Sequence, residues 1–321
     1  MVANCSFHTI TMKKSTSHYP SVLFFLLLGT LNTRSQGNNS ILEKLDFSIS
    51  LGSFFLLGDL GGNPGTAGDF VKDFNFKSTK LNLSVDANYY VKKWLSIGAG
   101  FVHGKLESND ASILNKGGGE IPRIMRNLNS RSTISEFHAL LKFYPKWLFN
   151  QSNLLRGKFD LYGIGGVGIY HFDPAVQDRD GSWIKASPLK LEGQGFDEYP
   201  GTKPYALTQF NLQSGAGVKY SITKNMAIAF EVVYRKLFTD YLDDVSTIYI
   251  NPMLFDKYLS AENAAIAKRV YYKGIYTDVT NPDTELTIRG DPTDYDAYIS
   301  ENITIVWRFC NSRGKIKCPK F

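Results

Sequence analysis

Eight segments of this chain alternate apolar and polar side chains over about ten residues each, and most of their charges fall on the polar face. LNLSVDANYYV shows the pattern. Leu81, Leu83, Val85, Ala87, Tyr89 and Val91 share one face, and Asn82, Ser84, Asp86 and Asn88 share the other. A period of two is that of a β-strand. Strands in soluble domains average about five or six residues, whereas about 9–11 are needed to cross a bilayer obliquely. The same alternation recurs in LDFSISLGSFFL, WLSIGAGFVHG, STISEFHALLKFYP, KFDLYGIGGVGIYHF, FNLQSGAGVKYSI, MAIAFEVVYRKLF and YDAYISENITIVWRF. With 22 Phe, 18 Tyr and 28 Gly, the composition also favours β structure with tight turns.

The connections alternate in length. Lys92-Lys93, residues 146–157 and residues 223–225 are shorter; residues 58–77, 107–129, 173–205 and 239–293 are longer. Short turns at one end and long loops at the other are the asymmetry of an outer-membrane barrel with periplasmic termini. The expected fold is therefore all-β: an eight-stranded antiparallel transmembrane β-barrel over residues 45–310, with a small helix in the last loop. That helix is expected in NPMLFDKYLSAENAAIAKR, capped by Asn251 with Pro252 at its first position. It would cover the barrel mouth or meet a partner.

The N-terminus reads as a signal peptide over residues 1–35. Lys13-Lys14 precede an apolar run from Val22 to Leu31, too short to span a membrane, and Thr33 and Ser35 stand at −3 and −1 of a cleavage site. Met12 is a plausible true start. Residues 36–44 then form a short N-terminal segment and residues 311–321 a periplasmic tail. Lys13, Lys14 and Arg34 account for three of the 36 basic residues, leaving 33 against 30 acids, a net of +3. That is too weak to indicate nucleic acid, and no basic run carries stacking aromatics. Cys310 and Cys318 either close a short loop in an oxidising compartment or stay unpaired.

The polar faces carry Asp46, Asp86, Glu136, His138, Lys142, Asp160, Lys219, Glu231, Arg235 and Arg308. Eight strands enclose room only for side chains, so these charges should pair across the lumen as a plug. The expected partner of Asp86 is Lys142, Lys219, Arg235 or Arg308. Tyr89, Trp94, Tyr144, Trp147, Tyr220, Trp307 and Phe309 near strand ends fit aromatic girdles. Glu301 shares parity with Ile303 and Ile305, which calls for a bulge or another register.

No catalytic residues, cofactor or metal site are expected. Gly163, Gly165, Gly166 and Gly168 lie within a strand, so they suit close packing of a barrel wall better than a phosphate loop. Asp178-Arg-Asp180-Gly181 opens like a calcium loop but lacks the later ligands, which leaves a turn. Arg289-Gly-Asp291, followed by Pro292, is simplest as a turn into the last strand.

FLLGDLGGNPGTAGDFVKDFN, DYLDDVSTIYIN, AAIAKR and RGDPTDYDAY resemble the corresponding loops of the PorG family, small outer-membrane barrels of the type IX secretion machinery. The resemblance covers the whole chain after the leader. It implies a non-enzymatic component embedded in outer-membrane lipid that associates with periplasmic ring proteins of the PorK and PorN kind. The shorter turns and the basic tail (Arg313, Lys315, Lys317, Lys320) would then make the contacts. A stand-alone pore or surface-binding barrel is the alternative.

Overall fold

The computed structural model describes residues 42, 44–61, 79–113, 115–117, 120–147, 158–274 and 288–308. The expected signal peptide and tail, Cys310, Cys318 and most of residues 146–157 lie outside these. Nine strands follow in order: β1 (Leu45–Leu57), β2 (Lys80–Lys92), β3 (Leu95–Asn109), β4 (Asn129–Phe143), β5 (Phe159–Gln177), β6 (Trp183–Lys185), β7 (Thr208–Ser221), β8 (Met226–Lys236) and β9 (Ala297–Arg308). Each pairs antiparallel with its sequence neighbours, except that the three-residue β6 only extends the edge of β5, which itself pairs with β7. The β1–β9 ladder closes an eight-stranded up-and-down barrel.

Closure fixes the tilt. The pairing ladder runs from Leu95 through Phe143, Gly163, Ala216, Val232, Glu301 and Ser53 to Leu81. Leu81 precedes Asn82, which pairs with Gly104, so the ladder re-enters β3 at Lys105, ten residues beyond its start. Such a stagger requires strands tilted by about 35–45° to the barrel axis.

Outward positions near the end with short turns are apolar: Phe47, Ile49 and Leu51 on β1, Phe137 and Leu141 on β4, Ile303, Ile305 and Trp307 on β9 are all well exposed. Inward positions at the same level are polar and buried, among them Ser48, Ser50, Ser84, Asn88 and Thr304. Water outside would leave the apolar face unsatisfied, so lipid is the solvent there. Higher up, the pattern inverts. Outward residues become His103, Lys105 and Glu107 on β3, Ser135, Thr133 and Arg131 on β4, His171 and Asp173 on β5. Inward residues become Val102, Leu106, Ile134, Tyr170 and Phe172, all buried. His103, Ser135, His171 and Thr208 form one register row, with His103 Nδ1 2.9 Å from Ser135 Oγ and His171 Nδ1 2.9 Å from Thr208 Oγ1. On these four strands that row is where the outward face turns from apolar to polar.

The inversion explains why three strands outrun their sequence pattern. β3 continues to Asn109, β4 starts at Asn129 and β5 continues to Gln177, into segments expected to be loop. Their hydrogen-bond ladders persist after the outward face turns polar, and an apolar-outward rule stops at that point. Trp94, Tyr220 and Trp307 lie at the turn end as expected of a girdle, and Phe159 packs on Tyr220 with ring centroids 4.8 Å apart. Tyr144 does not. It turns inward, is buried, and stands 5.1 Å from the Tyr162 ring. The side chains of Trp147 and Phe309 lie outside the described residues.

Glu301 needs neither bulge nor shifted register, since it pairs with Ser53 and Val232 in unbroken ladders and faces outward. In the last loop the expected helix is two. α1 (Ile121–Arg126) lies in the β3–β4 loop, and α2 (Leu254–Tyr258) and α3 (Ala261–Val270) follow β8. Ser260 separates the last two by accepting from Asn263 N at 3.3 Å; α2 begins at Leu254 rather than at Pro252, and Asn251, accepting from Met253 N at 3.0 Å, lies in the turn before it.

Candidate functional site

The inward charges form a column along the barrel. Nine of the ten expected residues are buried and Asp86 is partly so. At the turn end Arg308 on the last strand grips Asp46 on the first with two bonds, Nε to Oδ1 at 2.5 Å and an Nη to Oδ2 at 2.7 Å. This bidentate pair spans the closing seam. Lys219 Nζ donates to Tyr90 Oη at 2.9 Å, and Tyr90 and Tyr144 hydroxyls are 3.2 Å apart. Asp160 lies 3.0 Å from Lys146 Nζ, supplied by the turn after β4. Beside Asp46, Lys219 and Arg308 is a cavity of ≈ 20 Å³, room for about one water.

One level up, Lys142 Nζ and the Tyr162 hydroxyl both donate to Glu231 Oε1, at 2.5 and 2.6 Å. Asp86 Oδ1 is 2.6 Å from His138 Nε2, and its Oδ2 accepts from Ser84 Oγ at 2.6 Å. The partner of Asp86 is thus His138 rather than any of the four Lys and Arg candidates. His138 stands two strands away on β4, in register with Asp86 across Gly100 of β3, and only the closed ladder shows that the two meet.

Glu136 is the hub. It accepts from Arg235 Nε at 3.0 Å, the Tyr298 hydroxyl at 2.7 Å and Gln213 at 3.1 Å, and also from Asn211; His138 Nδ1 lies 3.3 Å away. Small residues make the space. A Cβ on Gly100 would stand 2.2 Å from Asp86 Oδ1, and one on Gly168 2.6 Å from Gln213 Nε2 and 3.2 Å from the Glu136 carboxyl carbon. Of the run expected to serve close packing, Gly166 and Gly168 do so, whereas a Cβ on Gly163 or Gly165 would meet nothing within 4 Å.

Above the hub, Phe54, Val102, Leu106, Ile134, Tyr170, Phe172, Leu237, Leu242 and Tyr298 fill the lumen as an apolar layer. Sequence reasoning missed this layer, having assigned the lumen to salt bridges alone. Beyond it the long loops pack into a cap: Leu189, Leu191, Phe196 and Tyr199 of the β5–β7 loop bury against Phe255, Ala264, Ala267 and Val270 of α2 and α3.

All four long loops meet in a buried polar knot. Asp59 follows β1, Asp110 and Arg126 come from the β3–β4 loop, Glu192 and Tyr205 precede β7, and Asp240, Asp243, Asp244, Arg289 and Asp296 lie between β8 and β9. Arg289 donates to Glu192 Oε1 at 2.6 Å, Arg126 to Asp110 at 2.8 Å, and Tyr205 to Asp244 at 2.6 Å. Leu60 N and Leu242 N donate to Asp243 and Asp296 at 3.2 and 2.7 Å. Arg289, 1 % exposed, is locked inside, and Asp291 accepts from Thr293 N at 3.1 Å, so Arg289-Gly-Asp291 is a turn. Asp178 to Gly181 is likewise a turn, joining β5 to β6.

Acids outnumber bases in the knot. Burial, then the charge of Asp243, pushes Asp59 up to about 8. Burial lifts Asp240 to about 9, Asp244 to about 7 despite Arg289, and Asp243 to about 6 despite Arg126 and Arg289. Asp296 is raised well above the carboxylate range by burial and by Asp243 and Asp240.

No family model matches the chain, and no curated protein matches it. Solved structures do. Ail of Yersinia pestis, crystallised with the heparin analogue sucrose octasulfate, is 10 % identical, with a TM-score of 0.35 over 83 % of this chain and 99 % of that one. Neisserial surface protein A is 9 % identical, with a TM-score of 0.35 over 83 % and 96 %. OprG of Pseudomonas aeruginosa is 10 % identical, with a TM-score of 0.37 over 84 % and 98 %. At that level the assignment as a membrane barrel rests on the chain's own ladder closure and inverted faces.

Proposed function

We propose that this chain is a non-enzymatic outer-membrane barrel that anchors or positions partners in a protein-secretion complex of type IX, as a PorG-like component. Its short turns and both ends of the barrel face the periplasm, where ring proteins of the PorK and PorN kind are the partners, and its long loops face outward. The observation that carries the structural role is the lumen: paired charges below and packed aromatics above leave it no path for solute. The loop strings quoted above support the secretion assignment. Affinity purification of the tagged chain from native membranes tests it. Recovery of periplasmic ring proteins is the expected result; recovery of the barrel with no secretion component would overturn the assignment.

A further inference from the structure

Glu301 stands on the wrong face for a charge. Its neighbours in the ladders are Ser53 on β1 and Val232 on β8, and the outward residues around it, Leu51, Phe230 and Ile303, are 58 %, 45 % and 62 % exposed. Six residues separate it from Trp307 at the turn end, which along a strand tilted by about 40° is a height of ~15 Å in an apolar band about 25 Å tall. The carboxyl group is therefore inside the lipid zone. Its side chain makes no hydrogen bond or ion pair with the described residues.

An ionisable side chain at that depth is costly unless something membrane-embedded pairs with it. A second copy of this chain does not supply the partner. Copies in one membrane share orientation, so equal depths meet. At the depth of Glu301 the described outward faces carry Phe101, Leu51, Val232 and Tyr234 and no cation. The outward cations Lys105 and Lys236 lie nearer the loop end, Lys236 pairing with Ala297, four residues along β9 from Glu301.

We propose that the lipid-facing wall of β8, β9 and β1 around Glu301 is a lateral docking surface for a different membrane-embedded chain, one that presents a Lys, Arg or His side chain at this depth. The surface lies on the barrel wall, apart from the periplasmic turns, and does not depend on the secretion assignment.

A photo-crosslinking residue placed at Leu51, Phe230 or Ile303 in native membranes tests the proposal. Adducts are expected to one other integral membrane protein, mapping within a few residues of a Lys, Arg or His. Glu301→Leu should lower their yield at least tenfold, and so should Leu at that partner cation. The isolated Glu301→Leu barrel should keep its heat-modifiable gel shift and resist urea in liposomes at least as well as the parent, because leucine suits lipid. Adducts to lipid alone, to a second copy, or to a protein at a yield indifferent to Glu301→Leu would overturn the proposal. So would a Glu301→Leu barrel that unfolds more easily, which would assign the carboxylate a role within the barrel itself.

Discussion

At the scale of single residues, the molecule is organised by the cost of leaving a lumen charge alone. Glu136 collects Arg235, Tyr298, Gln213 and Asn211 into one site, and it is fully buried. Removing it strands the Arg235 guanidinium among Phe54 and Tyr298. Glu136→Ala should therefore destabilise the barrel by about 3–5 kcal/mol in a urea titration in liposomes. Gly168→Val should give no folded, heat-resistant band, because its side chain would occupy the Gln213 and Asn211 positions. The identity of the lumen charges was legible from parity alone, since a residue's face follows from counting. Their partners were not. Which charge meets which depends on stagger, and the ten-residue shear is a property of closure that no single strand carries.

Elements show where solvent changes. The four outward apolar positions on β4, from Phe143 to Phe137, give way to Ser135, Thr133 and Arg131 while the ladder to β3 continues. A basic residue placed on the lipid side should report this boundary: Ile303→Arg should cost about 2–4 kcal/mol and Ser135→Arg no more than about 1, read from unfolding in liposomes. Loop elements carry a different signal. An aspartate in the unfolded chain titrates near 3.9, whereas Asp59, Asp240, Asp243 and Asp244 in the cap hold protons to between about 6 and about 9. The closed cap thus binds more protons than an opened one across that window. The contribution of these four groups to its stability is complete below pH ~4, falls as pH rises toward 9, and levels off above. Protease cleavage in residues 239–274 should be faster at pH 9 than at pH 6, and Asp240→Asn should shrink the difference. None of this cap was visible in the sequence beyond its helices, because its carboxylates are scattered over four loops and meet only when the barrel brings the loop ends together.

For the molecule as a whole, the alternation of eight strands and the alternation of loop lengths sufficed to predict a closed transmembrane barrel. They did not predict that its upper third would be packed like a soluble core. The two regimes have one cause: toward the turn end lipid lies outside and polar groups turn in, and toward the loop end water lies outside and apolar groups turn in. Both leave the interior full, with paired charges in one half and Phe54, Phe172 and Leu242 in the other. The lumen is therefore sealed. Single-channel recording of the purified chain in planar bilayers tests this: the membrane should show no steady conductance above background, while a stable open level in every insertion would show an open lumen.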